Sequence, residues 1–177
     1  MLQRAHHVLA FIMHFYVHSI PESGDSVPTS IPRTIAVPLL SVSRSLGIAP
    51  VLTYADTVLW NTYPLNAELP LSTTNMGFLH LFSGTPDETE FYRISACVEL
   101  RTVDLLRIIE NFHSYLDLTS EEAPIKISRD LHQVEALIRD LTDIVEGVRA
   151  GCDPHAFHWK VRPWFNGSDS SGPDSPR

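Results

Sequence analysis

The chain has 177 residues, which points to a single domain of ordinary size. Apolar residues make up 44% and charged residues only 19%, too apolar a balance for a disordered protein. Lys and Arg number 13 against 21 Asp and Glu, a net charge of −8 with no basic run, which argues against nucleic acid or an anionic membrane as the main partner. Two cysteines, Cys97 and Cys152, are too few for a disulfide framework, and the compartment expected is reducing and cytoplasmic.

The apolar stretch Val8–Tyr16 after a basic start weakly imitates a signal peptide, but His14 interrupts it and no small-x-small cleavage site follows. It is also far short of the roughly 20 residues that cross a bilayer. A buried helix over 3–18 is the reading preferred. Val8, Leu9, Ile12, Phe15 and Tyr16 leave it little polar face, as in a central helix covered on most sides. Pro21, Pro28, Pro32 and Pro38 predict an extended loop up to about residue 40. A short helix over 42–46 should end at Gly47, where a left-handed cap is free of steric cost. Pro50 reads as the first position of a second apolar helix carrying Tyr54, Ala55, Val58 and Leu59. Residues 65–86 read as a loop or short strand anchored by Phe78, Leu79, Leu81 and Phe82.

The strongest periodicity follows. An acidic first turn after Pro86 predicts a helix over 87–115, with Phe91, Ile94, Val98, Leu105, Ile109 and Phe112 facing inward and burial expected on two sides. Ser128 reads as the cap of a helix over 128–150 whose apolar set is Leu131, Val134, Leu137, Ile138, Leu141, Ile144, Val145 and Val148. Asp153-Pro154 predicts a last helix over 154–165. Residues 166–177 contain no large apolar side chain and read as a disordered polar tail. With no convincing strand, the class is all-α: a helical bundle over 1–165.

Phosphate-loop, dinucleotide-binding and nucleophile-elbow signatures are absent. Cys152, His155 and His158 have a spacing suited to zinc, but no second pair offers a fourth ligand, and interfacial histidines are the preferred reading. His6, His7, His14 and His18 share one helix, where packing and hydrogen bonds account for them. Arg162 stands among Phe157, Trp159, Trp164 and Phe165. Either it stacks on a tryptophan with its head in water, or it meets a ligand carboxylate as a bidentate fork. Taken alone, the first reading is ahead.

Longer segments weigh the second way. Ile31-Pro-Arg-Thr-Ile-Ala-Val-Pro38, then Leu46-Gly-Ile-Ala-Pro-Val-Leu-Thr-Tyr-Ala-Asp-Thr-Val-Leu59, Phe91-Tyr-Arg-Ile-Ser-Ala-Cys-Val-Glu99 and Asp153-Pro-His-Ala-Phe157 with Arg162 resemble, in order, the indoleamine 2,3-dioxygenase family. The resemblance runs from about residue 3 to residue 167. It implies an incomplete version of that family's all-α haem domain, and an enzyme that inserts dioxygen across the indole C2–C3 bond of tryptophan to give N-formylkynurenine. It implies haem b as cofactor, and L-tryptophan and dioxygen as partners.

By the same resemblance Phe91 is the aromatic residue packed on the indole, and Ser95 faces the distal haem pocket. Tyr54, Thr57 and Val58 line the indole pocket, with Thr57 where well-known members carry cysteine. Phe157 is an aromatic wall and Arg162 binds the substrate carboxylate. Two departures stand out. Pro163 biases Arg162 away from helical angles, and no histidine here matches the family's proximal haem ligand, which lies in a later segment. The expectation is therefore a truncated, inactive form that does not hold haem stably by itself and self-associates through uncovered apolar surface. The alternative is a non-catalytic helical interaction module.

Overall fold

The computed structural model describes residues 1–20, 30–114 and 120–165. The expected tail at 166–177 and parts of both long connections lie outside the described residues. In chain order the elements are α1 (Leu2–Ser19), α2 (Arg33–Leu46), a π-helical turn π1 (Ala55–Leu59), strands β1 (Thr62–Tyr63) and β2 (Gly77–Phe78), α3 (Pro86–His113), α4 (Ala123–Glu146), α5 (Val148–Gly151), α6 (Pro154–Ala156), a second π-helical turn π2 (Phe157–Val161) and a 3₁₀ turn at Arg162–Phe165. The fold is all-α, with one antiparallel β pair that matches Thr62 to Phe78 and Tyr63 to Gly77.

Helix α3 is the central strut. It packs along α4 and also touches π1, α5 and π2, while α1 packs on α2 and π1. Thr85 caps α3 by accepting the Glu88 N–H at 3.2 Å. The buried Glu88 carboxylate in turn accepts the N–H groups of Phe82, Ser83 and Gly84 at 2.7, 2.6 and 3.1 Å. Gly84, at φ 66°, supplies the left-handed residue this bend needs. The bend sets Phe82 between Phe11 of α1, centroids 4.7 Å apart, and Trp164, 5.2 Å apart, so stacked rings tie the two ends of the described chain together.

Several sequence expectations are corrected. The loop expected up to residue 40 is helical from Arg33, with Pro38 inside α2. Pro32 stands at the N-cap, and its carbonyl accepts the N–H groups of Ile35 and Ala36, both at 2.9 Å. Pro38 then removes only the bond to Thr34, a loss offset by packing of Leu39 and Ser43 in the interior. The end at Gly47 is as expected, at φ 69°.

Pro50 does not open the next helix. Thr53 does, through a reciprocal box in which Asp56 Oδ2 accepts Thr53 N–H at 2.9 Å and Asp56 N–H approaches Thr53 Oγ1 at 3.4 Å. Helix α4 starts at Ala123 rather than Ser128, because Pro124 falls in a first turn where a missing N–H costs nothing.

Burial is also less even than the patterns suggest. Helix α1 is covered on one face, by way of His6, His7, Ala10 and Phe11, while Ile12 and Phe15 reach solvent. The N-terminal half of α3 is buried, but Val103, Leu106, Ile109 and Phe112 are exposed. On α4, Leu137 is buried against α3, whereas Leu131, Ile138 and Val145 are 63%, 54% and 53% exposed.

Candidate functional site

The residues singled out from sequence fall on three elements, α3, π1 and the π2–3₁₀ segment. Phe91 projects from the second turn of α3 and meets Phe157 of π2 with centroids 5.0 Å apart and Phe165 at 5.8 Å. Beside it lies a core of Val58, Met76, Tyr92 and Ala96, against which Phe91, Phe78 and Leu100 pack. Phe91, Phe157 and Val58 are thus drawn to one apolar region. Thr57 is buried, with its hydroxyl turned back on the carbonyls of Thr53 and Tyr54, both 3.4 Å away. Ser95, one turn beyond Phe91, likewise donates to the Phe91 carbonyl at 3.1 Å.

Tyr54 stands apart from the aromatic group. It is half exposed and donates to Glu99 Oε1 at 2.9 Å, joining π1 to α3 one turn past Ser95. Burial, reinforced by the hydrogen bond and charge of Glu99, pushes the Tyr54 phenol up to about 12.

Arg162 is exposed, and its Nη1 lies 3.4 Å from His158 Nδ1. Pro163 does not turn it out of the helix: Arg162 keeps φ −53° and ψ −38°. The reason is the π turn before it. Arg162 N–H bonds to Phe157 O, five residues back, and the widened turn leaves room for a proline ring that would clash in a regular α-helix. The same widening occurs in π1, where Trp60 N–H reaches Ala55 O at 2.7 Å. Two of the three elements that carry these residues are therefore π turns, a feature frequent at functional sites.

The zinc arrangement does not form. Among the described residues no group of three or more His, Cys, Asp and Glu side chains is placed to hold a metal ion. His155 and His158 turn to Trp159. Burial, with Asp87, Glu90 and Asp153 nearby, pushes the Cys152 thiol up, away from the thiolate that zinc requires. Cys97 is also free and raised by burial.

Sequence reasoning missed the polar network beneath π1. Asp56, His6 and His7 are all fully buried. His6 Nδ1 donates to Asp56 Oδ1 at 2.8 Å, His7 Nδ1 donates to the Asp56 carbonyl at 2.8 Å, and His7 Nε2 meets His80 Nδ1 at 2.8 Å. A carboxylate inside the otherwise apolar stretch at 54–59 was the signal available.

Helix α3 and the two π turns thus bring Phe91, Phe157 and Val58 into one apolar group within an all-α fold, with Arg162 exposed on the turn that follows π2. The chain belongs to the indoleamine 2,3-dioxygenase family, whose model matches residues 1–176. It is 30% identical to the indoleamine 2,3-dioxygenase acdA of Aspergillus candidus over 97% of this chain and 42% of that protein. It is 30% identical to indoleamine 2,3-dioxygenase 1 of Mus musculus over 94% of this chain and 40% of that protein. A more distant relative is the 6-hydroxytryptophan 2,3-dioxygenase fscD of Fusarium equiseti, 26% identical over 94% of this chain and 39% of that protein. The chain thus spans about two fifths of the length of these curated relatives.

Proposed function

We propose that residues 1–165 form the substrate-facing wall of a haem-dependent dioxygenase that opens the indole ring of tryptophan to N-formylkynurenine, the first step of tryptophan breakdown through kynurenine. The observation that carries this reading is the Phe91–Phe157 pair at 5.0 Å, with Val58 in the adjoining core. The two rings touch each other and, backed by Val58, make a continuous apolar wall against which a planar bicyclic ring can lie. Phe91 and Phe157 orient the indole, Thr57 and Val58 back them, Ser95 lies one turn beyond Phe91, and Tyr54, tied to Glu99, flanks the group. Arg162 supplies the cation for the amino-acid carboxylate. The enzyme would work in the cytoplasm, in keeping with two free, buried cysteines.

Haem is implied by the family, and the described residues fit only one side of its pocket. Phe91, Ser95, Phe157 and Val58 offer a largely apolar face with one hydroxyl, in keeping with the distal side of a macrocycle. The histidines of α1 nearest the core are already engaged. His6 and His7 have both ring nitrogens bonded within the protein, and His14 bonds to the Trp164 carbonyl. The oxidation belongs to the haem, and no step of it is assigned to these side chains.

A chimera tests the reading. Residues 1–165 replace the matching segment of the murine relative, and haem content and conversion of tryptophan to N-formylkynurenine are measured. Turnover supports the reading; a haem-loaded chimera that binds tryptophan but leaves it unchanged overturns it. The exposed row Leu131, Ile138 and Val145 favours a second reading, a helical protein that acts by docking to another chain, and a correctly assembled but inert chimera would turn attention to it.

A further inference from the structure

Helix α5 ends at Gly151, and its backbone is one that any residue adopts, since among the described residues only Gly47 and Gly84 have positive φ. Gly151 is also exposed, so a crowded core does not account for it. A neighbour on α3 does. A Cβ at position 151 would lie 2.7 Å from Glu90 Cγ and 2.8 Å from Glu90 Cδ, well inside van der Waals contact. Glu90 is not free to swing aside. Arg93 holds its carboxylate as a fork, Nε donating to Oε2 at 2.7 Å and Nη2 to Oε1 at 2.5 Å. The third nitrogen of that guanidinium, Nη1, meets the sulfur of buried Cys97 at 3.8 Å. One turn earlier on the same face of α3, Asp87 Oδ1 accepts the Asp153 N–H at 2.7 Å. Two acidic residues of α3 therefore bear on the chain at Gly151 and Asp153, either side of the buried Cys152. The turn that begins there is tightly bonded: Asp153 caps Ala156, and Phe157 N–H reaches the Asp153 carbonyl at 2.8 Å.

We propose that Glu90, braced by Arg93 and seated on the bare Cα of Gly151, is a positioning residue that sets how closely the turn carrying Phe157 approaches Phe91. Asp87 holds the same turn by a single hydrogen bond, about which the turn can pivot. The Glu90–Gly151 contact removes that pivot. Arg162 follows Phe157 by one π turn, so the same contact sets where its guanidinium stands. The proposal rests on the reading above only for what Phe157 and Arg162 would touch.

NMR of the 177-residue chain with ring-labelled phenylalanine tests it. The Phe91 and Phe157 rings, with centroids 5.0 Å apart, should give nuclear Overhauser cross-peaks. Gly151→Ala should abolish these or weaken them severalfold, although alanine is by its own propensity the better helix former. Adding Glu90→Asp, which is one methylene shorter and keeps the charge for Arg93, should restore them. Glu90→Ala alone leaves Gly151 with nothing to rest against and should also weaken them. Cross-peaks of unchanged intensity in Gly151→Ala overturn the proposal, because Glu90 then yields without moving the turn. A loss in Gly151→Ala that Glu90→Asp does not restore belongs to position 151 itself and overturns it too. Unchanged cross-peaks in Glu90→Ala do the same, and that variant decides the matter if Gly151→Ala fails to fold. None of these measurements needs haem or turnover, so an inert chimera would sink the functional reading and leave this one standing.

Discussion

Phe91 and Phe157 meet with ring centroids 5.0 Å apart, one from the second turn of α3 and the other from the start of π2. Nothing local in the sequence brings them together. The contact depends on the Asp153 cap, whose Oδ1 accepts Ala156 N–H at 2.8 Å, and on Asp153 N–H donating to Asp87 at the head of α3, at 2.7 Å. The last turns are thereby pinned to the first turn of the helix that carries Phe91.

A double-mutant cycle measures that pairing. Phe91→Leu and Phe157→Leu keep apolar volume and remove the ring contact. Urea unfolding of the two single variants and the double variant should give a coupling of about 0.5–1.5 kcal/mol, the usual worth of an aromatic pair beyond its buried area. A coupling near zero would mean that the rings touch without sharing energy, and the pair would not make a rigid wall.

Much of the frame was legible because two long helices repeat their apolar residues by threes and fours, and α3 and α4 lie close to the expected spans. What escaped depends on competition between local signals. Pro50 looked like a helix start, yet the Thr53–Asp56 box provides more bonds and prevails. Pro38 looked like a breaker, yet it falls one turn inside a helix whose Leu39 and Ser43 are buried. Five residues of apolar spacing do not separate a π turn from an α turn, so the widening that accommodates Pro163 was not legible. The site residues came from family resemblance, and the structure brings Phe91, Phe157 and Val58 together. The His6–Asp56 pair joins α1 to π1 across the packing, and no spacing rule reaches that far.

Haem binding by the isolated chain is a direct test of the donor inventory. With His6 and His7 engaged at both ring nitrogens, and no histidine here matching the family's proximal ligand, haemin added to the 177-residue chain should bind without a defined axial ligand. Reduction under carbon monoxide should give no sharp, stoichiometric absorption band. A sharp band would identify one of the 9 histidines as an iron ligand and overturn the fit described above.

Acid should loosen the ring stack at the chain ends. Burial holds the His14 imidazole below the ordinary value of 6.5, opposed in part by its bond to the Trp164 carbonyl, and burial likewise lowers His7. A depressed imidazole binds fewer protons folded than unfolded, so its stability contribution is full above 6.5 and is lost as pH falls towards the folded value. The urea midpoint should therefore drop from about pH 7 to about pH 5. His14→Gln keeps an N–H donor for Trp164 but cannot titrate, and its midpoint should fall less. Equal slopes would assign the acid loss to other groups.

Uncovered apolar surface on α4 should drive association. Leu131, Ile138 and Val145 recur every seven residues, so they line one side of the helix, at 63%, 54% and 53% exposure. Sedimentation velocity should show oligomers of the chain, and Leu131→Gln, Ile138→Gln and Val145→Gln combined should shift them towards monomer, with helicity kept. A wild-type chain that sediments as a monomer over a wide concentration range would show that this row drives no self-association.

Arg162 is the sharpest test of the substrate reading. It stays helical beside Pro163 and is exposed, with its guanidinium 3.4 Å from His158 Nδ1. An imidazole supplies no negative counter-charge, so a ligand carboxylate is free to do so. Arg162→Lys in the chimera keeps the charge and removes the two-pronged geometry. A charge-assisted hydrogen bond is worth about 1.5–3 kcal/mol, so losing one should lower kcat/KM for tryptophan by roughly tenfold to a hundredfold. Tryptamine, which has no carboxylate, should be nearly indifferent to the same change. Measuring both substrates with both proteins separates the roles, because a structural loss cannot tell them apart. Equal losses on the two would mean that Arg162 supports the 3₁₀ turn through His158, and the carboxylate would need another anchor.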